Sequence, residues 1–318
     1  GCQVMSDLGA EVIKIEPPGG DPAREQPPFE AGQSVWFRNL NRGKRCETLD
    51  LKREDDKARL RELIAGADAF VEGFRPGVMA RLGFDYASVR ALNPRGIPLM
   101  TTGIANSVSV AEHAMYMLLA SARLVKKYDR LVREGGWGHR LTDLPADLSG
   151  KSILVVGMGR IGSRTVKRCV AFEMDTYVLD PNVPEAEIKK AGATKVTDLK
   201  AILPKVDFVS VHCPKAPETI DMFNAETLGL MKPDAFLVNT ARGGIVNEDA
   251  LYNALKNGKL RGAGLDVLDK EPPDADNKLF TLENVIFSPH MAGVTKEASD
   301  RTAVTAAANT LSVFDGHP

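Results

Sequence analysis

One hexapeptide limits the possible folds more than any other part of the chain. Gly157-Met158-Gly159-Arg160-Ile161-Gly162 stands between a β-branched run, Ser152–Val156 (SILVV), and an amphipathic helical pattern reaching to about Phe172. A strand that turns on glycines into a helix has a known physical use. The first glycine makes the tight turn, the second lets the backbone approach a pyrophosphate, and the third allows close helix–strand packing. The helix N-terminus adds free N–H groups and the positive end of its dipole. Asp180 ends the next strand-like run, Asp175–Leu179 (DTYVL), 18 residues after Gly162. A carboxylate there can accept hydrogen bonds from both ribose hydroxyls of NAD, and it repels a 2′-phosphate, so NAD is expected over NADP. Three spaced glycines alone would be weak evidence, since a tight turn with no ligand is the alternative. The order strand, turn, helix, acid makes the signal specific.

The same alternation continues downstream. Short runs at Asp207–Val211 (DFVSV), Ala235–Val238 (AFLV), Ala263–Val267 (AGLDV) and Asn284–Phe287 (NVIF) are separated by helical patterns such as Glu248–Lys256. That is the signature of βαβ units, so an α/β fold with a mainly parallel, Rossmann-type doubly wound sheet is expected. Val108–Val125 reads as one long helix with a broad apolar face. Residues 1–96 have another texture, dense in Arg, Pro and Gly, with short apolar runs at Glu11–Ile15 and Ala67–Val71. At 318 residues, about two domains are expected.

Composition removes several functions. The net charge is −1 and the pI about 6.6, so there is no basic surplus to neutralise a nucleic-acid backbone. The longest apolar run, near Ala114–Ala122, is too short to span a bilayer. Cys2, Cys46, Cys169 and Cys213 are far apart with no CxxC pair, which argues against a zinc site or a disulfide framework. Reduced thiols in the cytoplasm are the simplest reading. The chain shows no signal-peptide pattern, and its start at Gly1 instead of Met suggests a fragment or a processed end.

Three polar residues follow strand-like runs downstream of the glycine turn. Arg242 lies in Asn239-Thr240-Ala241-Arg242-Gly243-Gly244, Glu271 in Asp266-Val267-Leu268-Asp269-Lys270-Glu271-Pro272, and His290 in Ser288-Pro289-His290-Met291-Ala292-Gly293. In open α/β sheets the carboxyl ends of the strands form the ligand crevice. Arg grips a carboxylate with a planar fork. His moves a proton near neutral pH, and a carboxylate beside it favours the imidazolium. With a nicotinamide, this set suffices to reduce a 2-oxo acid. Taken singly, a loop Arg is usually solvated and a lone His is usually structural; the joint pattern behind a dinucleotide turn is what points to catalysis.

From about Gly96 onward the chain resembles the D-isomer-specific 2-hydroxyacid dehydrogenases, especially their phosphoglycerate-dehydrogenase-like branch. The likeness rests on Ala105–His113 (ANSVSVAEH), Asp147–Lys151 (DLSGK), the GMGRIG turn, His212-Cys213-Pro214, Met231-Lys232-Pro233, Thr240–Gly244 (TARGG) and Ser288–Gly293 (SPHMAG), in family order. The resemblance implies an NAD-dependent oxidoreductase acting on a small 2-hydroxy or 2-oxo acid. It implies that Arg242 binds the substrate carboxylate and carbonyl, that His290 is the acid–base and that Glu271 orients and charges it. It puts Cys213, Thr240, Asp266, Ala292 and Gly293 along the cofactor, with Asn106 bordering the cleft. Formate dehydrogenases, a similar branch, carry Gln where Glu271 stands. The family's dimer-forming arm corresponds to the long helix, so a homodimer is expected, although from sequence that apolar face could equally be core. His113 and His212 are read as structural.

Residues 1–96 do not show that family's substrate-domain pattern. They resemble the class III CoA-transferases, through Asp7–Pro22 (DLGAEVIKIEPPGGDP), Asn41–Arg45 (NRGKR), Leu49–Lys52 (LDLK) and Phe74–Val78 (FRPGV). By that match and by charge, Arg42, Lys44 and Arg75 are candidate contacts to CoA phosphates, with solvated surface the alternative. The family's opening strand would precede Gly1, and its nucleophilic aspartate falls in sequence absent here. Without that carboxylate, acyl exchange through a mixed anhydride has no nucleophile. The pattern switches near Asn93-Pro94-Arg95-Gly96-Ile97-Pro98 with no linker. The expected layout is an incomplete α/β CoA-transferase-like segment (1–96), an NAD-binding domain (97–290, hinge 97–107) and a C-terminal return helix (291–318). Acyl-CoA binding and a non-catalytic NAD-binding chimera remain as alternatives.

Overall fold

A computed structural model of the chain describes residues 2–72, 78–92 and 104–314. It divides into two compact units, one comprising Gly1–Gly103 and Asp300–Pro318, the other Ile104–Ser299.

The second unit is built on seven strands: β1 (Ser152–Val156), β2 (Asp175–Leu179), β3 (Thr194–Val196), β4 (Phe208–Val211), β5 (Phe236–Asn239), β6 (Gly262–Leu265) and β7 (Val285–Phe287). Their order is β7-β6-β5-β4-β1-β2-β3, and every pairing is parallel. The chain starts in the middle and winds outward twice, which leaves a switch point between β1 and β4.

Strand periodicity sorts side chains onto two cores. Ile153, Val155, Phe208, Phe236 and Val238 face the helices Ser107–Ala122 and Gly162–Ala171. Leu154, Val156, Val209, Val211 and Leu237 face the other layer, which includes Glu248–Lys256. Both faces are covered, which is why these strands read as continuous apolar runs. Helix Glu248–Lys256 starts on Asn247, whose side chain accepts the Ala250 N–H, and carries Glu248 and Asp249 in its first turn, where acids suit the dipole.

The strand positions agree with the sequence reading to within a residue or two, and the short edge strand β3 adds to it. The long helix does not run on as expected. It spans Ser107–Ala122, breaks at Leu124 (φ 52°), and a second helix runs Val125–Arg133. Apolar spacing persists across the break, so periodicity alone could not reveal a single left-handed residue.

In the first unit, Ile13–Glu16 pairs in parallel with Arg45–Thr48. Helix Glu54–Gly66 packs Leu60 and Ile64 with Leu49, Met79, Phe84 and Val89. Ile15 and Phe70 pack against this cluster, whereas Val71 is exposed. Glu16 is buried at 3 % exposure and accepts from Arg24 at 2.8 and 3.0 Å and from the Asp21 N–H at 3.1 Å. The Arg24 hydrogen bonds above all hold its pKa down at about 2. Arg42 is committed to an ion pair with Asp7 (Nε–Oδ1 3.0 Å), and Lys44 donates to Asn41 Oδ1 at 3.0 Å. Both described candidates for CoA phosphate thus have partners within the chain. Arg75 and the 93–98 junction lie outside the described residues.

Candidate functional site

The glycine turn leaves β1 at the switch point, and its three glycines serve three purposes. Gly157 has φ 90°, and a Cβ there would lie 2.7 Å from the Cys213 nitrogen at the end of β4. A Cβ on Gly162 would lie 1.9 Å from the Gly157 carbonyl oxygen. A Cβ on Gly159 would meet nothing within 4 Å among the described residues. The outer two glycines are therefore required by the protein's own backbone. The middle one faces open space, where a ligand can approach. Arg160 is exposed and Ile161 half-buried beside it.

Asp180 closes the turn from the end of β2. Its Oδ2 accepts the Met158 N–H at 2.8 Å and its Oδ1 the Asn182 N–H at 2.9 Å. Each carboxylate oxygen has further lone-pair capacity, so these bonds orient the group without using it up. Thr240, at the end of β5, is buried at 5 % exposure, and its Oγ1 has no hydrogen-bond partner among the described residues. A buried hydroxyl left unsatisfied is costly. Together with the open face of Gly159, it fits a polar ligand lying along the carboxyl ends of the strands. Cys213 differs from expectation in one respect: its side chain packs into the core and burial pushes its thiol pKa up to about 11. It reaches the turn through its backbone.

Arg242 follows β5 on a loop held by Asn239, which accepts the Ala241 N–H at 3.0 Å and donates to the Arg242 carbonyl at 2.9 Å. The guanidinium is exposed, and its hydrogen bond within the chain goes to the neighbouring Ala241 carbonyl. A Cβ on Gly243 would lie 2.0 Å from the Leu268 carbonyl oxygen, so this glycine lets the Arg242 loop rest against the loop bearing Glu271. Glu271 Oε1 accepts the Leu268 N–H at 3.2 Å, and its Oε2 meets His290 Nδ1 at 2.8 Å. With Nδ1 so engaged, His290 presents Nε2 outward. The imidazole is 39 % exposed, enough for a substrate to reach.

His290 itself sits at φ 51°, a conformation that a non-glycine residue keeps only when its surroundings impose it. Asp266, 2 % exposed at the end of β6, supplies that restraint. Its carbonyl accepts the His290 N–H at 2.8 Å. Its carboxylate accepts the Met291 N–H at 2.9 Å, the Ala292 N–H at 3.0 Å and the Ser288 hydroxyl. Asp266 therefore holds the His290 loop by main chain and side chain alike. Ala292 is buried, and a Cβ on Gly293 would touch the Asn106 amide at 2.8 Å. Sequence reasoning missed Ser288; its only signal was a hydroxyl residue two places before His290.

The two histidines read as structural have different surroundings. His212 bonds Ser210 at 2.8 Å, and burial drives its pKa down to about 4. His113 reaches Ser288 at 2.8 Å and so touches the site's supporting shell. A cavity of about 550 Å³ lies elsewhere, at the opposite ends of the strands beside Ser121, Phe236, Arg261 and Gly262. None of the residues placed at the glycine turn or on the three polar loops lines it.

A doubly wound parallel sheet with a glycine turn at its switch point defines a dinucleotide-binding unit, and an Arg, a Glu and a His stand on its strand-end loops. Comparison with known proteins specifies the family. The sequence model of the D-isomer specific 2-hydroxyacid dehydrogenase NAD-binding domain matches residues 115–292, and the chain belongs to that family. The model of CoA-transferase family III matches residues 1–123. A D-3-phosphoglycerate dehydrogenase of Archaeoglobus fulgidus is 39% identical over 239 residues, 75% of this chain and 45% of the relative. A glyoxylate reductase of Korarchaeum cryptofilum is 38% identical over 74% of this chain and 71% of its own. The chain thus spans less than half the length of the phosphoglycerate dehydrogenases it matches. Among solved structures, D-lactate dehydrogenase from Aquifex aeolicus, complexed with NAD and lactic acid, aligns with TM-score 0.66 at 27% identity, over 81% of this chain and 86% of that one. The TT0316 protein of Thermus thermophilus aligns with TM-score 0.67 at 30% identity, over 96% and 97%. Among the described residues no helix is long and apolar enough to cross a membrane.

Proposed function

We propose that the chain interconverts a small 2-oxo acid and its D-2-hydroxy acid with NAD(H) bound at the glycine turn. The observation that carries this reading is the 2.8 Å His290–Glu271 pair, reached by substrate from the strand ends where Arg242 also stands. A bound nicotinamide supplies or takes up the hydride at the 2-carbon. Arg242 grips the substrate carboxylate and leans on the carbonyl. His290 gives its Nε2 proton to the oxygen as the carbonyl is reduced and takes it back in the reverse direction. Glu271 holds Nδ1 and balances the imidazolium while the proton is on the ring.

A phosphoglycerate-dehydrogenase-like substrate is supported by the relatives above, and a glyoxylate-sized one by the second of them. The apolar face of helix Ser107–Ala122 is core of the chain itself, so a homodimer is supported instead by the exposed Tyr116, Val132, Trp137, Leu141 and Leu144, which a second copy would cover. Four free cysteines suit the cytoplasm. We keep 1–96 as a CoA-transferase-like segment joined in frame to the NAD-binding domain. The match over residues 1–123 favours CoA binding as the second reading, although Arg42 and Lys44 are already paired.

The test is NADH oxidation with a panel of 2-oxo acids. His290→Ala should lower kcat by about 10²–10⁴ with NADH affinity near normal, and Arg242→Ala should chiefly raise KM for the oxo acid. Full activity in His290→Ala would remove the mechanism. Retention on immobilised CoA, with no oxo-acid turnover, would favour the second reading.

A further inference from the structure

Helix Ser107–Ala122 sends one imidazole toward the catalytic loop. His113 Nε2 lies 2.8 Å from Ser288 Oγ. Ser288 in turn donates its hydroxyl proton to Asp266 Oδ1. A hydroxyl has one proton to give, so Ser288 must accept from His113, and the network requires the tautomer with the proton on Nε2. The chain of donors runs in one direction: His113 Nε2–H to Ser288 Oγ, Ser288 Oγ–H to Asp266. The Asp266 carboxylate then takes the N–H groups of Met291 and Ala292, the two residues after His290. The same helix touches the loop again further on, where Ser109 Oγ lies 3.0 Å from Thr295 Oγ1.

We propose that His113 is a positioning residue for the acid–base His290, acting through Ser288 and Asp266. A histidine filling core space would need no directed bond to this loop. His113 instead completes the hydrogen bonding of the serine that orients Asp266, and Asp266 holds His290 at a positive φ facing Glu271. Without His113, Ser288 loses its donor and is free to rotate its hydroxyl away from Asp266. The Met291 and Ala292 amides then depend on a carboxylate that is no longer fixed, and the His290 ring loses its set direction. The catalytic part of this inference rests on the reading of His290 given above; the loop restraint does not.

The experiment uses the full chain, with hydrogen exchange followed by mass spectrometry on peptides spanning 288–294 and, as a control, 157–162. His113→Leu should speed exchange at Met291 and Ala292 by roughly tenfold, the scale of one lost buried hydrogen bond, and leave the glycine turn unchanged. His113→Gln, whose amide can still donate, should restore most of the protection. Ser288→Ala should match His113→Leu, and the double variant should add little, because both cut the same chain. Unchanged exchange at Met291 and Ala292, equal loosening of the glycine turn, or additive effects would each overturn the proposal. If His113→Leu does not fold, Ser288→Ala carries the same test. In turnover assays His113→Leu should lower kcat and spare the NADH KM, with recovery in His113→Gln. Failure of the unmutated chain to reduce any 2-oxo acid would sink the catalytic reading alone, and the exchange result would still judge the restraint.

Discussion

Substituting alanine at two glycines of one turn should separate folding from cofactor binding. In Gly162→Ala the new methyl would lie 1.9 Å from the Gly157 carbonyl oxygen and 2.9 Å from its carbon. A carbon and a carbonyl oxygen approach no closer than about 3.3 Å, so the turn or the helix must move by about 1.4 Å. No rotamer change can relieve a clash between backbone and Cβ. Overpacking of this kind costs about 3 kcal/mol at the upper end of its usual range. For a unit of this size that lowers Tm by roughly 6–12 °C. In Gly159→Ala the methyl meets no atom of the described residues within 4 Å, and the backbone is outside the left-handed region. Its effect on stability should stay within about 1 kcal/mol. The methyl does occupy the approach a pyrophosphate would take, so NADH should bind at least roughly tenfold more weakly. Thermal melts with and without NADH, and fluorescence titration, read both quantities. Gly159→Ala binding NADH as tightly as the unmutated chain would refute the reasoning, as would Gly162→Ala melting at the unmutated temperature.

Further expectations follow from the same geometry. NADH should bind at least about tenfold tighter than NADPH, and Asp180→Ala should narrow that gap; equal affinities before mutation would rule out Asp180 as the ribose contact. His212 has its pKa lowered to about 4 from 6.5 by burial, and His113 is also lowered, first by burial. A group depressed in the folded state stabilises above its unfolded pKa and loses that contribution as pH falls toward the folded value. Urea midpoints should therefore drop between pH 6.5 and 4, and His212→Gln should flatten that slope. In limited proteolysis the Ile104–Ser299 unit should outlast the first unit, whose buried apolar cluster is small among the described residues; mass spectrometry of the surviving fragment checks this.

Much of the dinucleotide unit was legible because its signals are local. A strand buried on both faces must be apolar throughout, so SILVV, AFLV and NVIF declare themselves. A turn that brings backbone against backbone must be glycine, so Gly157 and Gly162 are compulsory whatever the ligand. Arg242, Glu271 and His290 could be singled out because each follows such a strand. The break at Leu124 was not legible, since one left-handed residue leaves the apolar spacing intact. Nor was edge strand β3, whose three residues are too few for a pattern.

By itself, then, the sequence determined the parallel sheet, the glycine turn and which residues stand on the strand-end loops. These depend on periodicity and on steric rules that operate within a few residues. Only the tertiary structure decided how those residues are used. It spent the Asp266 carboxylate on the Met291 and Ala292 N–H groups, turned Cys213 into the core, left the Thr240 hydroxyl without a partner among the described residues, and joined His113 to Ser288 across 175 positions of sequence. A hydrogen bond between distant segments depends on where the packed sheet and helices bring two side chains, and no spacing along the chain encodes that distance.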